Sequence, residues 1–245
     1  MIEATGIGWR VGGARILEDV TLSVGAGELL GIIGPNGAGK SSLVNILSGV
    51  QRPSAGRVTL GGQDVTRRTA TKRARMGLAR SFQTSALFDG LSAVENVRLA
   101  LQASRGGSLS PLRAVKSAAD TNRVGDLLDR VRMPGKGAAP ARGLSHGDRR
   151  KLELAMALAS EPKVLLLDEP MAGVSAEDVE GLTTIIGEVR DSGVAVAMVE
   201  HHMHVVLGLA DRVAVLHHGQ LLAAGTATEV TSDARVQQAY LGEAL

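Results

Sequence analysis

The residues of this chain best suited to chemistry are glycines, a lysine and serines at fixed spacing around position 40. They fit the pattern G-x-x-x-x-G-K-[ST] and are Gly34, Pro35, Asn36, Gly37, Ala38, Gly39, Lys40 and Ser41, with Ser42 next. In such a loop, backbone N–H groups and a helix N-terminus surround a polyphosphate. Lys40 would reach the β- and γ-phosphates, and the Ser41 hydroxyl would bind Mg²⁺.

The elements on either side of this loop are the ones that it needs. Residues 28–33 form a short apolar run that predicts a buried strand, and residues 42–47 predict the first turns of a helix. A strand before the loop and a helix after it distinguish a phosphate-binding loop from an ordinary glycine-rich turn. The sequence therefore predicts that residues 34–42 bind the phosphates of a nucleotide.

Two carboxylates follow a second apolar run, residues 164–167. A P-loop enzyme needs a carboxylate that faces Mg²⁺ and a group that orients or deprotonates the attacking water. Asp168 suits the first role, through a water, and Glu169 suits the second. The alternative is that this Asp-Glu-Pro triplet only ends a strand before a turn.

A histidine follows the next apolar run, residues 194–199. His201 is expected at the carboxyl end of a strand, where ligands bind in open α/β sheets, and could bond the γ-phosphate there. With His202, His204 and the pair at 217–218 it also suggests a metal site, but no matching Cys, Asp or Glu spacing supports zinc.

The charges along the chain are nearly balanced. Its 245 residues include 27 basic and 25 acidic residues, for a net charge of +2, so we expect no nucleic-acid partner. No cysteine is present, which excludes disulfides and thiol catalysis. The sequence also has no stretch of about 20 apolar residues, so it predicts no membrane span. We expect no secretory signal.

A run of basic residues predicts a solvated helix face, and contact with acidic lipid headgroups is a second possibility. These residues are Arg67, Arg68, Lys72, Arg73 and Arg75.

The alternation of apolar runs and helical patterns predicts an α/β fold. Runs that are apolar throughout and separated by helices indicate a mostly parallel sheet covered on both faces. Residues 14–24 and 57–60 predict further strands, and residues 211–222 a strand pair that turns at His218-Gly219. The middle of the chain is mostly helical in pattern, over residues 94–102, 114–131 and 149–160.

Taken together, the motifs resemble those of the ATPase subunit of ABC transporters. They occur in the family's order: the P-loop at 34–41, a Q-loop at Ser81-Phe82-Gln83, a signature at Leu144-Ser145-His146-Gly147-Asp148, the Walker B strand at Val164 to Glu169, and His201 as the switch histidine. The resemblance covers essentially the whole chain. It implies one domain over 1–245: a RecA-like P-loop NTPase core with an antiparallel β subdomain (1–83 and 161–245) and an inserted α-helical subdomain (84–160).

The resemblance also implies how the site works. Gln83 would touch Mg²⁺ and the attacking water, and its loop would sense a membrane subunit. Ser145, His146, Gly147 and Asp148 would face the ATP bound by a second subunit. The cofactors implied are ATP and Mg²⁺, and each site would be shared between two chains, with Ala172 to Ser175 along the seam of the dimer.

The chain departs from the family's pattern at two places. The signature usually reads Leu-Ser-Gly-Gly-Gln, whereas here His146 and Asp148 stand at its third and fifth positions. Asp148 should stabilise the start of its helix but slightly oppose a nearby phosphate. The aromatic residue that stacks on adenine in relatives is replaced by Val11, so either Trp9 stacks on the base or Val11 gives a weaker apolar contact.

Several features resemble the ATPases of branched-chain amino acid importers: Arg80 to Gln83 with Leu87-Phe88, the long loop at 105–116, Val199-Glu200-His201 and the closing residues 239–243. Near relatives carry urea, short amides or aromatic acids. The alternatives are an ATPase of lipopolysaccharide export and a non-transport ATPase. The partners implied are a second ATPase copy or a paralogue, two transmembrane permeases and, indirectly, a secreted substrate-binding protein, which places the chain peripherally at the cytoplasmic face of the inner membrane.

Overall fold

The computed structural model describes residues 1–81, 87–105 and 118–240. Its strands are β1 (Ile2–Val11), β2 (Ala14–Val24), β3 (Leu29–Ile33), β4 (Ala55–Leu60), β5 (Gln63–Asp64), β6 (Leu78–Arg80), β7 (Val164–Asp168), β8 (Ala195–Val199), β9 (Arg212–His217) and β10 (Gln220–Gly225). Its helices are α1 (Lys40–Ser48), α2 (Ala70–Arg75), α3 (Ala93–Ser104), α4 (Ala118–Arg130), α5 (His146–Leu158), α6 (Ala176–Asp191), α7 (Met203–Leu209), α8 (Ala227–Ser232) and α9 (Ala234–Tyr240).

The larger sheet has six strands in the order β10-β9-β3-β8-β7-β6. Strands β3 and β6 to β9 are parallel, and β10 pairs antiparallel with β9. All residues of β3, β7 and β8 are buried, as expected of parallel strands covered on both faces. Because β8 lies between β3 and β7, the carboxyl ends of these three strands meet at one edge of the sheet. The predicted α/β fold is confirmed.

The second sheet is antiparallel, in the order β2-β1-β4-β5. Strands β1 and β2 form a hairpin whose turn residues, Gly12 and Gly13, have φ of 53° and 90°, the left-handed conformation that tight hairpin turns require. Ile2 and Val58 from this sheet share one apolar core with Leu30 of β3 and Leu43 of α1. This is the antiparallel β subdomain that the resemblance implied.

The middle of the chain is helical, as its pattern predicted. Helices α3, α4 and α5 pack against one another around buried side chains that include Val97, Val124, Leu128 and Leu154. Ser92 begins α3 with a reciprocal capping box to Glu95. The predicted start of α4 at 114 lies outside the described residues, and the subdomain boundaries at 84 and 160 stay a prediction. Within the described ranges, no helix combines the length and the apolar character needed to cross a membrane.

One prediction about the basic residues is wrong. Arg73 does not belong to a solvated face, because it is 0% exposed. Its Nη1 donates to the carbonyl oxygens of Ile46 and Leu47, at 2.7 Å each, and two longer bonds reach the carbonyls of Thr66 and Arg68. The last carbonyls of α1 are not paired by a following turn of helix, apart from the bond from the Gly49 N–H to Ile46, and they carry partial negative charge, so they attract a guanidinium.

Burial lowers the pKa of Arg73 to about 10, which leaves the side chain charged at neutral pH. The other four basic residues of the run are exposed, as predicted: Arg67, Arg68, Lys72 and Arg75.

Candidate functional site

The P-loop leaves β3 and enters α1 in a conformation that needs glycine. Gly34 has φ of 151°, and a Cβ there would lie 2.1 Å from the Leu216 carbonyl oxygen. Gly39 has φ of 98°, and a Cβ there would lie 2.7 Å from Leu17 Cδ2. Gly39 is also the N-cap of α1, and no side chain caps this helix. The N-terminus of α1 therefore presents backbone N–H groups and partial positive charge on the side from which an anion can bind.

Lys40 and the two serines that follow it lie at the start of α1. Lys40 is buried, and its Nζ donates to the carbonyl oxygens of Gly34 at 2.5 Å and Pro35 at 3.0 Å. The ammonium is thus held against the backbone of the loop. Ser41 is exposed and Ser42 is half-buried, so the Ser41 hydroxyl is accessible to a ligand.

The turn between β9 and β10 contacts the backbone of the P-loop. Gly219, in the turn between β9 and β10, donates its N–H to the Ala38 carbonyl oxygen at 3.1 Å and accepts from the Glu18 N–H at 2.8 Å. A Cβ at Gly219 would lie 2.4 Å from the Ile16 carbonyl oxygen. The sequence predicted the turn at this position, but no signal in it indicated that the turn contacts the P-loop.

Asp168, at the end of β7, is buried and held by an arginine. Its Oδ2 accepts from Arg80 Nη2 at 2.9 Å, while Arg80 Nη1 donates to Asn45 Oδ1 at 2.7 Å and Ser48 Oγ at 3.0 Å on α1. The side chains of Arg80 and Asp168 are only 11% and 1% exposed. The sequence pointed to Arg80 only as part of a resemblance, and its contact with Asp168 was missed.

The oxygen groups near the P-loop fit Mg²⁺. The Asp168 Oδ1 atom is buried and has no hydrogen-bond partner in the part of the chain that the structure describes. Mg²⁺ prefers carboxylate and hydroxyl oxygens and keeps several of its waters, so Asp168 and Ser41 are suitable donors. Gln83, the third candidate, lies outside the described residues.

Glu169 and His201 meet at the ends of β7 and β8. Glu169 Oε1 lies 2.9 Å from His201 Nε2. Glu169 has φ of 51°, which is uncommon for a residue other than glycine, and its N–H donates to the Val199 carbonyl oxygen at 2.9 Å. The structure therefore brings together the two residues that the sequence assigned to water activation and phosphate contact.

The signature residues lie on the helical subdomain, at the start of α5. Ser145 is the N-cap of α5, and its Oγ accepts from the Asp148 N–H at 3.1 Å. Ser145 and His146 are exposed, whereas Gly147 is buried. A Cβ on Gly147 would lie 2.3 Å from Asp178 Cγ, so glycine is needed here for α6 to approach α5.

The charge of Asp148 is compensated within the chain. Asp148 is buried and pairs with Lys136 at 2.5 Å and more weakly with Lys151 at 3.8 Å. Lys151 also lies 3.4 Å from Asp178 of α6. The repulsion of a phosphate that the sequence predicted for Asp148 is therefore reduced by a lysine that pattern analysis did not single out.

The two adenine candidates differ in exposure. Trp9 is half-buried, packs on the core beneath the β subdomain and pairs with Leu17 across the hairpin. Val11 is 50% exposed at the end of β1. The register of β1 shifts just after Trp9, so simple alternation does not relate the two side chains. Ile16, which neighbours Gly39, is a third apolar residue at this end of the P-loop.

The histidines do not form a metal cluster in the described residues. Across residues 1–81, 87–105 and 118–240, no group of three or more His, Cys, Asp or Glu side chains is arranged to hold a metal ion. His202 Nδ1 instead bonds Glu200 Oε2 at 2.9 Å, and His217 and His218 contact each other edge to face.

Comparisons with known proteins give consistent results. The family model described as "ABC transporter" matches residues 17–172, and the model described as "Branched-chain amino acid ATP-binding cassette transporter" matches residues 220–245. The chain is 34% identical to the high-affinity branched-chain amino acid transport ATP-binding protein LivG of Salmonella typhimurium, over 100% of this chain and 98% of that protein. It is 35% identical to the lipopolysaccharide export system ATP-binding protein LptB of Escherichia coli K12, over 94% and 92%.

Solved structures agree with this result. An ATP-binding cassette of an ABC transporter in its ADP conformation superposes with a TM-score of 0.88 at 28% identity, covering 99% of both chains. A nucleotide-free cassette from an ABC transporter gives a TM-score of 0.87 at 27% identity, also over 99% of both chains.

Proposed function

The chain belongs to the ABC transporter family as an ATP-hydrolysing, nucleotide-binding subunit, and we propose that it powers an importer of branched-chain or related hydrophobic amino acids. The observation that carries the hydrolytic mechanism is the 2.9 Å contact between Glu169 and His201. This contact lies at the sheet edge where β3 delivers the P-loop. A carboxylate and an imidazole at this position are suited to act on a water beside the terminal phosphate.

Phosphate binding depends on the loop and on Lys40. The uncapped N-terminus of α1 supplies N–H donors and partial positive charge, and Lys40 adds a full charge next to the same cradle. Ser41 and Asp168 would hold Mg²⁺, which when bound offsets the charge of the phosphate oxygens. Gln83 is proposed as a further contact to Mg²⁺ and water.

Hydrolysis then depends on Glu169. Its carboxylate accepts a proton from the attacking water, and its left-handed backbone, tied to β8 through the Val199 carbonyl, fixes where the side chain begins. His201 orients the Glu169 carboxylate and would contact the γ-phosphate. This pair therefore couples water activation to the presence of the phosphate that is cleaved.

The site is proposed to be completed by a second ATPase chain, either another copy or a paralogue. Ser145 and His146 are exposed at the start of α5, and the helix packs within its own chain against α3, α4 and α6. An exposed helix N-terminus of this kind can bind the γ-phosphate held by the facing chain. In each composite site, Ser145 to Asp148 of one chain would face the P-loop of the other.

Two permease subunits are the proposed membrane partners. A groove of about 920 Å³ runs between the β subdomain and the helical subdomain, lined among others by Val50, Arg75, Met76 and Ala103. Val50 is 59% exposed and contributes apolar surface to this groove, which suits a protein contact. Docking there would hold the chain at the cytoplasmic face of the inner membrane, and a secreted binding protein would deliver the cargo.

Support for the amino-acid cargo comes from two findings. The chain's last residues, 220–245, match the family named for branched-chain amino acid transport, and a LivG protein is similar over the full length. The second candidate is lipid export, which the comparable similarity to an LptB protein favours. Urea and short amides are the other candidate cargoes.

The hydrolytic role is tested by Glu169→Gln. This variant should keep ATP binding, lose turnover and accumulate as an ATP-dependent dimer on gel filtration, because the closed pair can no longer reopen. Lys40→Ala, which should lose ATP binding and stay monomeric, is the matched control. Near-normal turnover of Glu169→Gln would contradict the role assigned to this carboxylate.

The cargo is tested with the chain reconstituted beside its own permeases in vesicles. A leucine-loaded binding protein should raise the ATPase rate several-fold above that of the unloaded protein, whereas lipopolysaccharide should not. Stimulation by lipopolysaccharide alone would support the export alternative.

A further inference from the structure

A buried glutamate next to the switch histidine is not used by the mechanism proposed above. Glu200 is only 2% exposed, and its side chain is 1% exposed. Burial of a carboxylate is costly unless its oxygens are well supplied with donors. No lysine or arginine in the described part of the chain forms an ion pair with Glu200. The hydrogen-bond donors that surround the carboxylate therefore explain why its burial is tolerated.

Those donors come from two different loops. Glu200 Oε1 accepts from the Met171 N–H at 2.7 Å. Glu200 Oε2 accepts from the backbone N–H of His201 at 2.9 Å, and from the N–H and Nδ1 of His202 at 3.2 and 2.9 Å. The first oxygen therefore binds the loop that follows β7, and the second binds the loop that follows β8.

These bonds close a ring around the proposed catalytic pair. Met171 is two residues from Glu169, and Glu169 is 2.9 Å from His201. His201 is bonded in turn to Glu200, which returns to Met171. In addition, the Ala172 N–H donates to the Glu169 carbonyl at 3.1 Å, so the start of the segment 172–175 is tied to the same ring.

We propose that Glu200 is a positioning residue: its carboxylate fixes the loops that carry Glu169 and His201 relative to each other and so sets their separation. This inference rests on the proposed hydrolytic role of that pair. Glu200 does not touch the reacting atoms, and it acts through the backbone N–H groups of Met171, His201 and His202 and through the His202 side chain.

The chemistry of the donors requires a carboxylate. All four groups around Glu200 present a hydrogen, provided that His202 Nδ1 carries one, and an ionised carboxylate has only acceptors. A glutamine of nearly the same shape would have to point its NH₂ group at one of the two loops. The NH₂ group of the glutamine would then meet an N–H group of that loop, donor against donor, and the loop would move away.

The main experiment compares Glu200→Gln with the wild-type chain in steady-state ATP hydrolysis and in equilibrium ATP binding. Turnover should fall by about tenfold or more, because small displacements of a catalytic group have large effects on rate. The Kd for ATP should change by less than about twofold, since the P-loop is untouched.

The matched control is Glu28→Gln. Glu28 also accepts a backbone N–H, from Gly25 at 2.6 Å, but it precedes β3 at the opposite end of that strand. Its turnover should stay near the wild-type value.

Hydrogen exchange separates positioning from general destabilisation. In Glu200→Gln, amide exchange should accelerate in residues 169–172 and 200–202 but not in residues 34–42. Acceleration everywhere, or unchanged exchange together with lost turnover, would overturn the proposal.

A second variant covers the case in which Glu200→Gln does not fold. His202→Ala removes one donor from a side chain that is 49% exposed, so the fold should survive while turnover falls by a smaller factor. Wild-type turnover in His202→Ala and in any folded Glu200→Gln would refute the positioning role. A wild-type chain that hydrolyses no ATP would instead refute the proposed function, so the two failures are distinguishable.

Discussion

At the scale of single residues, the buried pair of Arg80 and Asp168 determines which carboxylate oxygen is available. Arg80 occupies Asp168 Oδ2 and is itself anchored on α1 through Asn45 and Ser48. The other oxygen, Oδ1, is left without a partner among the described side chains. The guanidinium fork therefore orients the proposed Mg²⁺ ligand, because its planar geometry binds several acceptors in fixed directions.

We expect Arg80→Gln to weaken the Mg²⁺ dependence of nucleotide binding. Affinity for ATP in EDTA should be unchanged, while the Mg²⁺ concentration needed for half-maximal binding should rise about tenfold, a loss near 1.4 kcal/mol. Titration of Mg²⁺ against a fluorescent nucleotide measures this shift. For Arg80→Lys, which keeps the positive charge but not the planar fork, the Mg²⁺ concentration at half-maximal binding should lie between those of the wild-type chain and Arg80→Gln. An unchanged Mg²⁺ midpoint in both variants would show that Arg80 does not orient Asp168.

Substitution of Arg73 should change the stability of the fold instead of the chemistry of the site. Arg73→Met should lower the free energy of unfolding by about 3 kcal/mol, because buried carbonyls of α1 and of the loop before α2 lose their donor. Arg75→Met, an exposed neighbour on the same helix, should change it by less than about 0.5 kcal/mol. Urea unfolding of the two variants checks this, and equal effects would contradict the structural role of Arg73.

At the scale of elements, the helical subdomain and α6 are joined at the signature. Lys136, in the loop after α4, neutralises Asp148 of α5, and Lys151 of α5 faces Asp178 of α6. Gly147 lets α5 and α6 approach closely at the same point. A movement of the helical subdomain would therefore carry the signature residues and the start of α6 with it.

We expect Lys136→Met to reduce turnover about three- to tenfold, because Asp148 would keep only its weaker contact with Lys151 and would repel the phosphate of the facing nucleotide. The double variant Lys136→Met/Asp148→Asn should recover most of the activity, since both charges are then absent. Steady-state ATPase assays on the two variants test this. A double variant as impaired as the single one would mean that the loop contact matters and the charge does not.

The elements themselves were largely predictable from sequence. Strands β3, β7 and β8 are continuous apolar runs, and a parallel strand buried on both faces has that composition. Strand β2 (Ala14–Val24) has the bounds that its partly alternating pattern predicted. Glu169 and His201 were candidates because each follows an apolar run, and the structure brings them within 2.9 Å.

The partners of buried charges were not predictable in this way. Arg73 was expected on a solvated face because local charge patterns say nothing about the distant carbonyls of α1. Lys136 and Asp148 are 12 residues apart, and Arg80 and Asp168 are 88 residues apart. Such contacts depend on tertiary packing, which one sequence does not record.

At the scale of the whole molecule, the residues of the proposed ATPase site lie on two parts of the fold. The P-loop, Asp168, Glu169 and His201 gather at the edge of the larger sheet, whereas Ser145 and His146 are exposed on the helical subdomain. Each site would therefore need a second chain to complete it. Closure of the pair would move both helical subdomains and, through the groove beside α2 and α3, the permeases.

Complementation between two inactive variants tests this central claim most directly. Lys40→Ala and Ser145→Arg should each abolish ATP hydrolysis as homodimers. Mixed dimers of the two contain one site in which both the P-loop and the facing signature are intact, so a 1:1 mixture should regain a substantial part of the wild-type rate. A mixture that stays as inactive as its components would contradict a site shared between chains.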